Sequence, residues 1–269
     1  PGRLNRQQAM FVTSFAWLIV GIAVAIPLAL SQHFASVWDA LFDAVSLVTT
    51  TGVSLASNVD HMSYADNTWR FLVGYAGGLG LIVVAMSFGI LGVSSSTSSL
   101  YESEGRSEHV LPNVVQTARF ILKFSTSIVA VAAIVLAIVL MIHGMGPMQS
   151  FFQGIWLSIS SFMTVGLVPQ SGGVSYYHSL TLEFVLMVLM LLGSINFALQ
   201  SEVLRGRVRA FPRDTEIHTA VIWMTFGLVI FICSIAGSAL LKGLPALMRS
   251  GLFTFIAATT TCGLQIVDS

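Results

Sequence analysis

The segment Leu41 to Val53, LFDAVSLVTTTGV, is apolar along most of its length and then stops in three threonines and a glycine. A helix needs roughly 20 apolar residues to cross a bilayer, so this one is too short to do so. Threonine holds a helix poorly, because its branch is stiff and its hydroxyl competes for backbone bonds. Glycine admits backbone angles that other residues avoid. The expected structure is a short helix that ends abruptly and passes into extended backbone with exposed carbonyls. The device recurs as IWLSISSFMTVGL from Ile155 to Leu167 and as LFTFIAATTTCGL from Leu252 to Leu264. Gly52, Gly166 and Gly263 align at spacings of 114 and 97 residues, and Thr50, Thr164 and Thr261 stand two positions before them.

What lies between the copies decides the class. Hydrophobic residues make up 55% of the chain and charged residues 9%, against roughly 25% charged in soluble domains. The reading is an all-α polytopic membrane protein. Long apolar spans are expected at 9–31, 69–92, 115–142, 180–200 and 218–241, and short helices before each Thr–Gly stretch, the later two at 148–162 and 245–258. The unit is long span, short helix, Thr–Gly segment, long span. It occurs twice in full, over 1–100 and 101–204, and once as a first half, over 205–269. Internal repetition of this kind is common in transporters. The chain begins at Pro1 and ends just after the third copy, so it is read as a piece of a longer protein with an incomplete pore.

Zero net charge argues against nucleic-acid binding, which needs a basic surface. Cys233 and Cys262 offer no disulfide framework, and the six histidines are scattered singly near span ends. No nucleophile–base pair or metal-ligand set points to an enzyme, and no covalently bound cofactor is expected. The basic residues sort the spans by side. Arg3 and Arg6, then Arg106, Arg119 and Lys123, then Arg205, Arg207, Arg209 and Arg213 fall on one side, nine of twelve, which the positive-inside rule makes cytoplasmic. The three short helices then enter from outside, as in a multi-pass protein of the plasma (inner) membrane. Asp39, Asp43, Asp60, Asp66 and Asp268 share that outer side, either as an acidic mouth that concentrates cations or as plain solvated loop carboxylates.

A half-membrane helix ending in irregular backbone is tolerated only where it lines a cavity or is buried in protein. Its C-terminal end carries partial negative charge and favours a cation. Carbonyls beyond it can replace an ion's hydration shell, and threonine hydroxyls can add to the set. The larger monovalent ions shed water most readily, so potassium is the expected ligand. Calcium and magnesium prefer carboxylate-rich sites, which the segments lack. The candidate ligands are Thr50, Thr51, Gly52 and Val53, then Thr164, Val165, Gly166 and Leu167, then Thr261, Cys262, Gly263 and Leu264, mainly through backbone carbonyls.

These residues carry a resemblance. Met163–Leu167 is a partial match to the TVGYG filter of potassium channels. FDAVSLVTTTGVS (42–54) followed by WRFLVGYAGGLGLIVVAMSFGIL (69–91) resembles the first pore repeat of the Trk/Ktr/HKT superfamily of potassium transporters. LMLLGSINFALQ (189–200) resembles the end of that family's second repeat and AATTTCGL (257–264) its third filter. The resemblance covers essentially the whole chain, with GGLGLIV its most specific part. It implies outer helix–pore helix–filter–inner helix repeats, four in number, around a pseudo-fourfold pore, with Gly52, Gly166 and Gly263 as filter glycines. It also implies potassium uptake, with glycine rather than serine at position 52 accompanying potassium preference, a homodimer, and a cytosolic nucleotide-binding regulatory ring. The chain departs from the pattern in its second filter, MTVGLVP. It also lacks the fourth repeat, the gating loop of the third inner helix and the basic residue of the fourth.

Rival readings remain for several residues. Transport of sodium or mixed cations is one alternative to potassium uptake, and a non-conducting membrane scaffold or sensor is another. Gly77, Gly78 and Gly80 are read as packing positions rather than ligands. Asn196 and Gln200 either line the ion path or hydrogen-bond between helices. Glu183 is read as reaching the membrane interface. The Arg205–Arg213 cluster is read as a topology determinant, with a regulatory partner or anionic lipid as the alternative.

Overall fold

The computed structural model describes residues 6–87, 114–204, 206–207, 211–212, 214–236 and 244–266. Residues 88–113, Arg106 among them, and Arg3, Arg205, Arg209, Arg213 and Asp268 lie outside them. The described residues form helices α1 (Arg6–Leu30), α2 (Val37–Val48), α3 (Tyr64–Ser87), α4 (Val114–Ile142), α5 (Pro147–Phe162), α6 (Leu180–Ser194), α7 (Phe197–Leu204), α8 (Thr215–Ala236) and α9 (Leu244–Thr259). Two single 3₁₀ turns, Val59–His61 and Gly173–Tyr177, sit in the loops that precede α3 and α6. The order long helix, short helix, irregular segment, long helix thus appears in α1 to α3, recurs from α4 with the closing segment divided into α6 and α7, and begins a third time with α8 and α9.

The outward faces of the long helices are as apolar as their inward ones. α4 buries Ala132, Ala133, Leu136 and Leu140 while exposing Val131, Ile134, Val135 and Ile138. α8 exposes Val221, Ile222, Trp223, Phe226, Val229 and Ile230. Apolar surface all round a helix suits lipid, not water. Ala118–Ile142 and Thr215–Cys233 are long and apolar enough to cross a membrane, and Ser14–Leu30 and Leu180–Ser194 are shorter apolar helices.

Each short helix starts where the sequence supplies a start. Ser36 caps α2 by accepting the Asp39 N–H at 3.2 Å, and Asp39 lies in the positively polarised first turn. Pro147 opens α5, where its missing N–H costs nothing. Ser63 and Asp66 exchange bonds of 3.0 and 2.8 Å at the start of α3.

The short helices are held by close backbone approach. Gly77 of α3 lies against the Val48 carbonyl at the end of α2, and Gly193 of α6 lies against the Phe162 carbonyl at the end of α5. A Cβ at either glycine would overlap that oxygen. Gly154 of α5 meets the Ala133 carbonyl of α4 in the same way. Gly78 packs on Met163 and Thr50, and Gly80 faces Trp17, so Gly77, Gly78 and Gly80 all serve packing.

The fourth long segment departs from expectation. It is not one helix over 180–200 but two, broken at Ile195, which takes an extended conformation (φ −76°, ψ 140°). The buried Gln200 side chain turns back and donates to the Leu192 and Ile195 carbonyls, at 2.7 and 2.9 Å. The Ile195 N–H closes the last turn on the Leu192 carbonyl at 3.3 Å, and the amide adds a bond there and one to the Ile195 carbonyl. Asn196 bonds Glu216 of α8 at 3.3 Å, the interhelical role.

Candidate functional site

The three Thr–Gly segments share one backbone signature. Thr50, Thr164 and Thr261 have positive φ (54°, 50° and 57°), as do Gly52, Gly166 and Gly263 (72°, 78° and 77°). Six non-glycine residues among those described have positive φ, and these threonines are half of them. A β-branched residue in the left-handed region is strained, and such strain persists only where the surroundings impose it.

Helix capping imposes it here. α2 ends with Thr50 N–H on the Leu47 carbonyl (3.1 Å) and Thr51 N–H on the Ser46 carbonyl (2.8 Å). α5 repeats this with Thr164 on Ser161 (3.4 Å) and Val165 on Ser160 (2.9 Å). This is the Schellman arrangement, with threonine in place of the usual glycine. In α9, Thr261 bonds the Ala258 carbonyl (3.1 Å) and Gly263 the Ala257 carbonyl (3.1 Å). The N–H groups of each segment thus point back into their helix. Among the described residues no hydrogen bond reaches the backbone carbonyls of Thr50, Thr51, Gly52, Thr164, Val165, Gly166, Thr261 or Cys262.

Many threonine hydroxyls are already engaged. Thr49 bonds the Val45 carbonyl and Thr51 (2.8 Å each), Thr260 bonds the Ile256 carbonyl (2.8 Å), and Thr261 bonds the Thr260 carbonyl (2.7 Å). Side chains alternate along the second and third segments. Val165, Leu167, Cys262 and Leu264 are buried in the protein. In the first segment, Thr51 and Val53 are exposed and Gly52 is half-buried.

The segments lie side by side in an arc. A Cβ on Gly52 would overlap the Val165 carbonyl, and one on Gly166 would overlap the Cys262 carbonyl. Beside Gly263 there is open space. The loops that follow the segments keep the same order. Asp60 accepts from the hydroxyl of Ser171 and from its N–H (2.8 Å), and Val174 N–H reaches the Gln265 carbonyl (3.3 Å). The Ser171 hydroxyl, then its N–H, hold the Asp60 carboxyl below its ordinary value.

The profile of the TrkH family, described as "cation transport protein", matches residues 3–269. This chain belongs to the TrkH family. It is 27% identical over its whole length to an uncharacterised cation transporter of Methanocaldococcus jannaschii, covering 52% of that protein. It is 25% identical to the Trk system potassium uptake protein TrkH of Salmonella typhimurium, over 97% of this chain and 54% of the relative. A similar level, 25%, holds for the Trk system potassium uptake protein TrkI of Halomonas elongata, over 100% of this chain and 53% of the relative. The fold matches the crystal structure of the potassium transporter TrkH from Vibrio parahaemolyticus with a TM-score of 0.82 at 20% identity, covering 98% of this chain and 53% of that one. The chain therefore spans about half the length of the relatives it matches. Members of the TrkH family are membrane transporters, not enzymes.

Two expectations about acidic residues are corrected within this TrkH fold. Asp43 belongs to no outer mouth. It is fully buried in α2 and pairs with Arg70 of α3, with Nε–Oδ2 at 3.2 Å and Nη2–Oδ1 at 3.3 Å. Glu183 does not reach the interface. It is buried in α6 and paired with Arg249 of α9 through both carboxylate oxygens, Nε–Oε2 at 2.7 Å. The reason is common to both. A carboxylate inside an apolar helix is stable only beside a cation, and each faces an arginine on a neighbouring helix. Arg70 and Arg249, the partners of these carboxylates, stand outside the residues expected to matter. The available signal was an arginine inside an apolar segment, which calls for an acidic partner.

Proposed function

We propose that this chain supplies three walls of a potassium-uptake pore in the plasma membrane. The single supporting observation is the threefold Thr–Gly segment: the same signs of φ, carbonyls from Thr50 to Gly52, Thr164 to Gly166 and Thr261 to Cys262 that accept no bond among the described residues, and Gly52 and Gly166 each leaning on the next segment's carbonyl. Left-handed residues alternating with others turn successive carbonyls toward one side, as in a selectivity filter. The walls are the repeats over 1–100 and 101–204 and the half repeat over 205–269. A fourth segment, carried by the remainder of the longer protein, closes the ring beside Gly263. The ligands are the carbonyls of Thr50, Thr51, Gly52 and Val53, of Thr164, Val165 and Gly166, and of Thr261, Cys262, Gly263 and Leu264; the Leu167 carbonyl, expected among them, instead accepts the buried Ser160 hydroxyl at 2.6 Å. The ion is potassium, in keeping with the relatives named potassium uptake proteins. Transport is channel-like, in a homodimer governed by a cytosolic nucleotide-binding subunit.

The test is rubidium uptake by the full-length protein in liposomes, paired with growth of a potassium-uptake-deficient strain on low potassium. Gly166→Asp places a side chain on the Cys262 carbonyl and a carboxylate at the filter, so uptake and rescue should both vanish. Rescue by this variant equal to that of the parent overturns the assignment.

A further inference from the structure

Arg70 is completely buried and uses its guanidinium on three parts of the first repeat. Nε and Nη2 bind Asp43 of the short helix α2. Nη2 also donates to the Ser54 hydroxyl at 2.5 Å, and Nη1 approaches the Met62 sulfur at 3.6 Å in the following loop. Ser54 stands two residues beyond Gly52, and its oxygen also accepts the Ala56 N–H at 3.2 Å. The bonds to Asp43 and Ser54 tie helix α2, the exit of the Thr–Gly segment and the inner helix α3 to one rigid planar group.

The other segments are held by other means. In the second, the Ser160 hydroxyl donates directly to the Leu167 carbonyl at 2.6 Å, from inside the protein. The aligned residue of the first repeat, Ser46, is buried with its hydroxyl unpartnered. The first segment therefore lacks the hydroxyl brace of the second, and the arginine stands in its place. In the third, the aligned position is Ala257, which has no hydroxyl. A buried ion pair is weak evidence for net stability, because desolvation offsets the attraction. Its geometry is the informative part, since a planar fork bound to a carboxylate at two points resists rotation.

We infer that Asp43, Arg70 and Ser54 form a positioning unit that fixes the carbonyls of the first segment and so sets its discrimination between monovalent cations. This rests on the pore reading above. Arg70 touches no ion. It acts through Ser54, which restrains the segment's outer end. A segment freed at that end adapts its carbonyls to a smaller ion, and sodium then competes better.

The test measures rubidium and sodium uptake by the full-length protein in liposomes. Ser54→Ala removes the link and leaves the buried ion pair intact, so folding is preserved. The expected result is a sodium-to-rubidium ratio raised about threefold or more, the size of one lost hydrogen bond, with rubidium uptake retained and only a small fall in the thermal midpoint. Ser54→Thr keeps a hydroxyl and should restore the parent ratio. An unchanged ratio in Ser54→Ala, with Gly166→Asp still abolishing uptake, overturns the inference and leaves the pore reading standing. Equal loss of both fluxes with a lowered midpoint also overturns it, because the unit is then only structural. If Gly166→Asp transports like the parent, both readings fall together.

Discussion

The first and second Thr–Gly segments have nearly the same backbone and different braces. Both leave a short helix through a threonine with positive φ, and both lean through a glycine on a neighbouring carbonyl. The second is held from its own helix by one short hydroxyl bond, Ser160 to Leu167. The first is held from the next helix by a charged group, Arg70, which must itself be neutralised by Asp43. One conformation is thus reached by two chemistries. The backbone pattern specifies the segment, and the surrounding protein need only supply some rigid contact at its exit.

The largest effect expected of that difference lies at Arg70. Arg70→Ala leaves Asp43 buried without its cation, which should destabilise the full-length protein by about 3–5 kcal/mol in thermal unfolding. A loss no greater than that of an ordinary surface substitution breaks the comparison at its root. Ser160→Ala removes a neutral bond and leaves a buried carbonyl unpaired, so a loss of about 1–3 kcal/mol is expected in the same assay. Ser46→Ala, at the aligned position of the first repeat, removes a buried hydroxyl with no partner. It should be neutral or slightly stabilising, and a loss equal to that of Ser160→Ala shows that the two braces are alike after all.

The smallest effect is in the outer loops. The Asp60 carboxyl is held below its ordinary value of 3.8, so its ionised form is the one favoured in the fold. Its contribution is therefore complete at neutral pH and is lost as pH falls through the lowered value. Asp60→Asn should behave like the parent in thermal stability except for a slight loss at neutral pH, and that small difference should vanish in strong acid. A difference that grows on acidification contradicts the link between Asp60 and Ser171.

Much of this was legible in the residues. LFDAVSLVTTTGV and its two recurrences located the short helices and their stops, because threonine and glycine disfavour helix for local reasons. Gly77 was read as packing, and it meets the Val48 carbonyl. Whatever depended on two distant residues meeting was not legible. Asp43 and Arg70 are separated by a filter-like segment and a loop, and Glu183 and Arg249 by two helices, so no local pattern marks either pair. The break at Ile195 is masked by the apolar run on its N-terminal side, although Gly193, Ser194 and Asn196 are residues that favour a helix end. It becomes intelligible once Gln200 is seen to bond the carbonyls there.

The nesting of Gly52 on Val165 and of Gly166 on Cys262 has a mechanical consequence. Neither glycine leaves clearance for its neighbour's oxygen to move toward it. A displacement of one segment toward the next is therefore handed on, and no segment can close on its neighbour by itself. In the proposed pore, narrowing is thus a movement that neighbouring segments share.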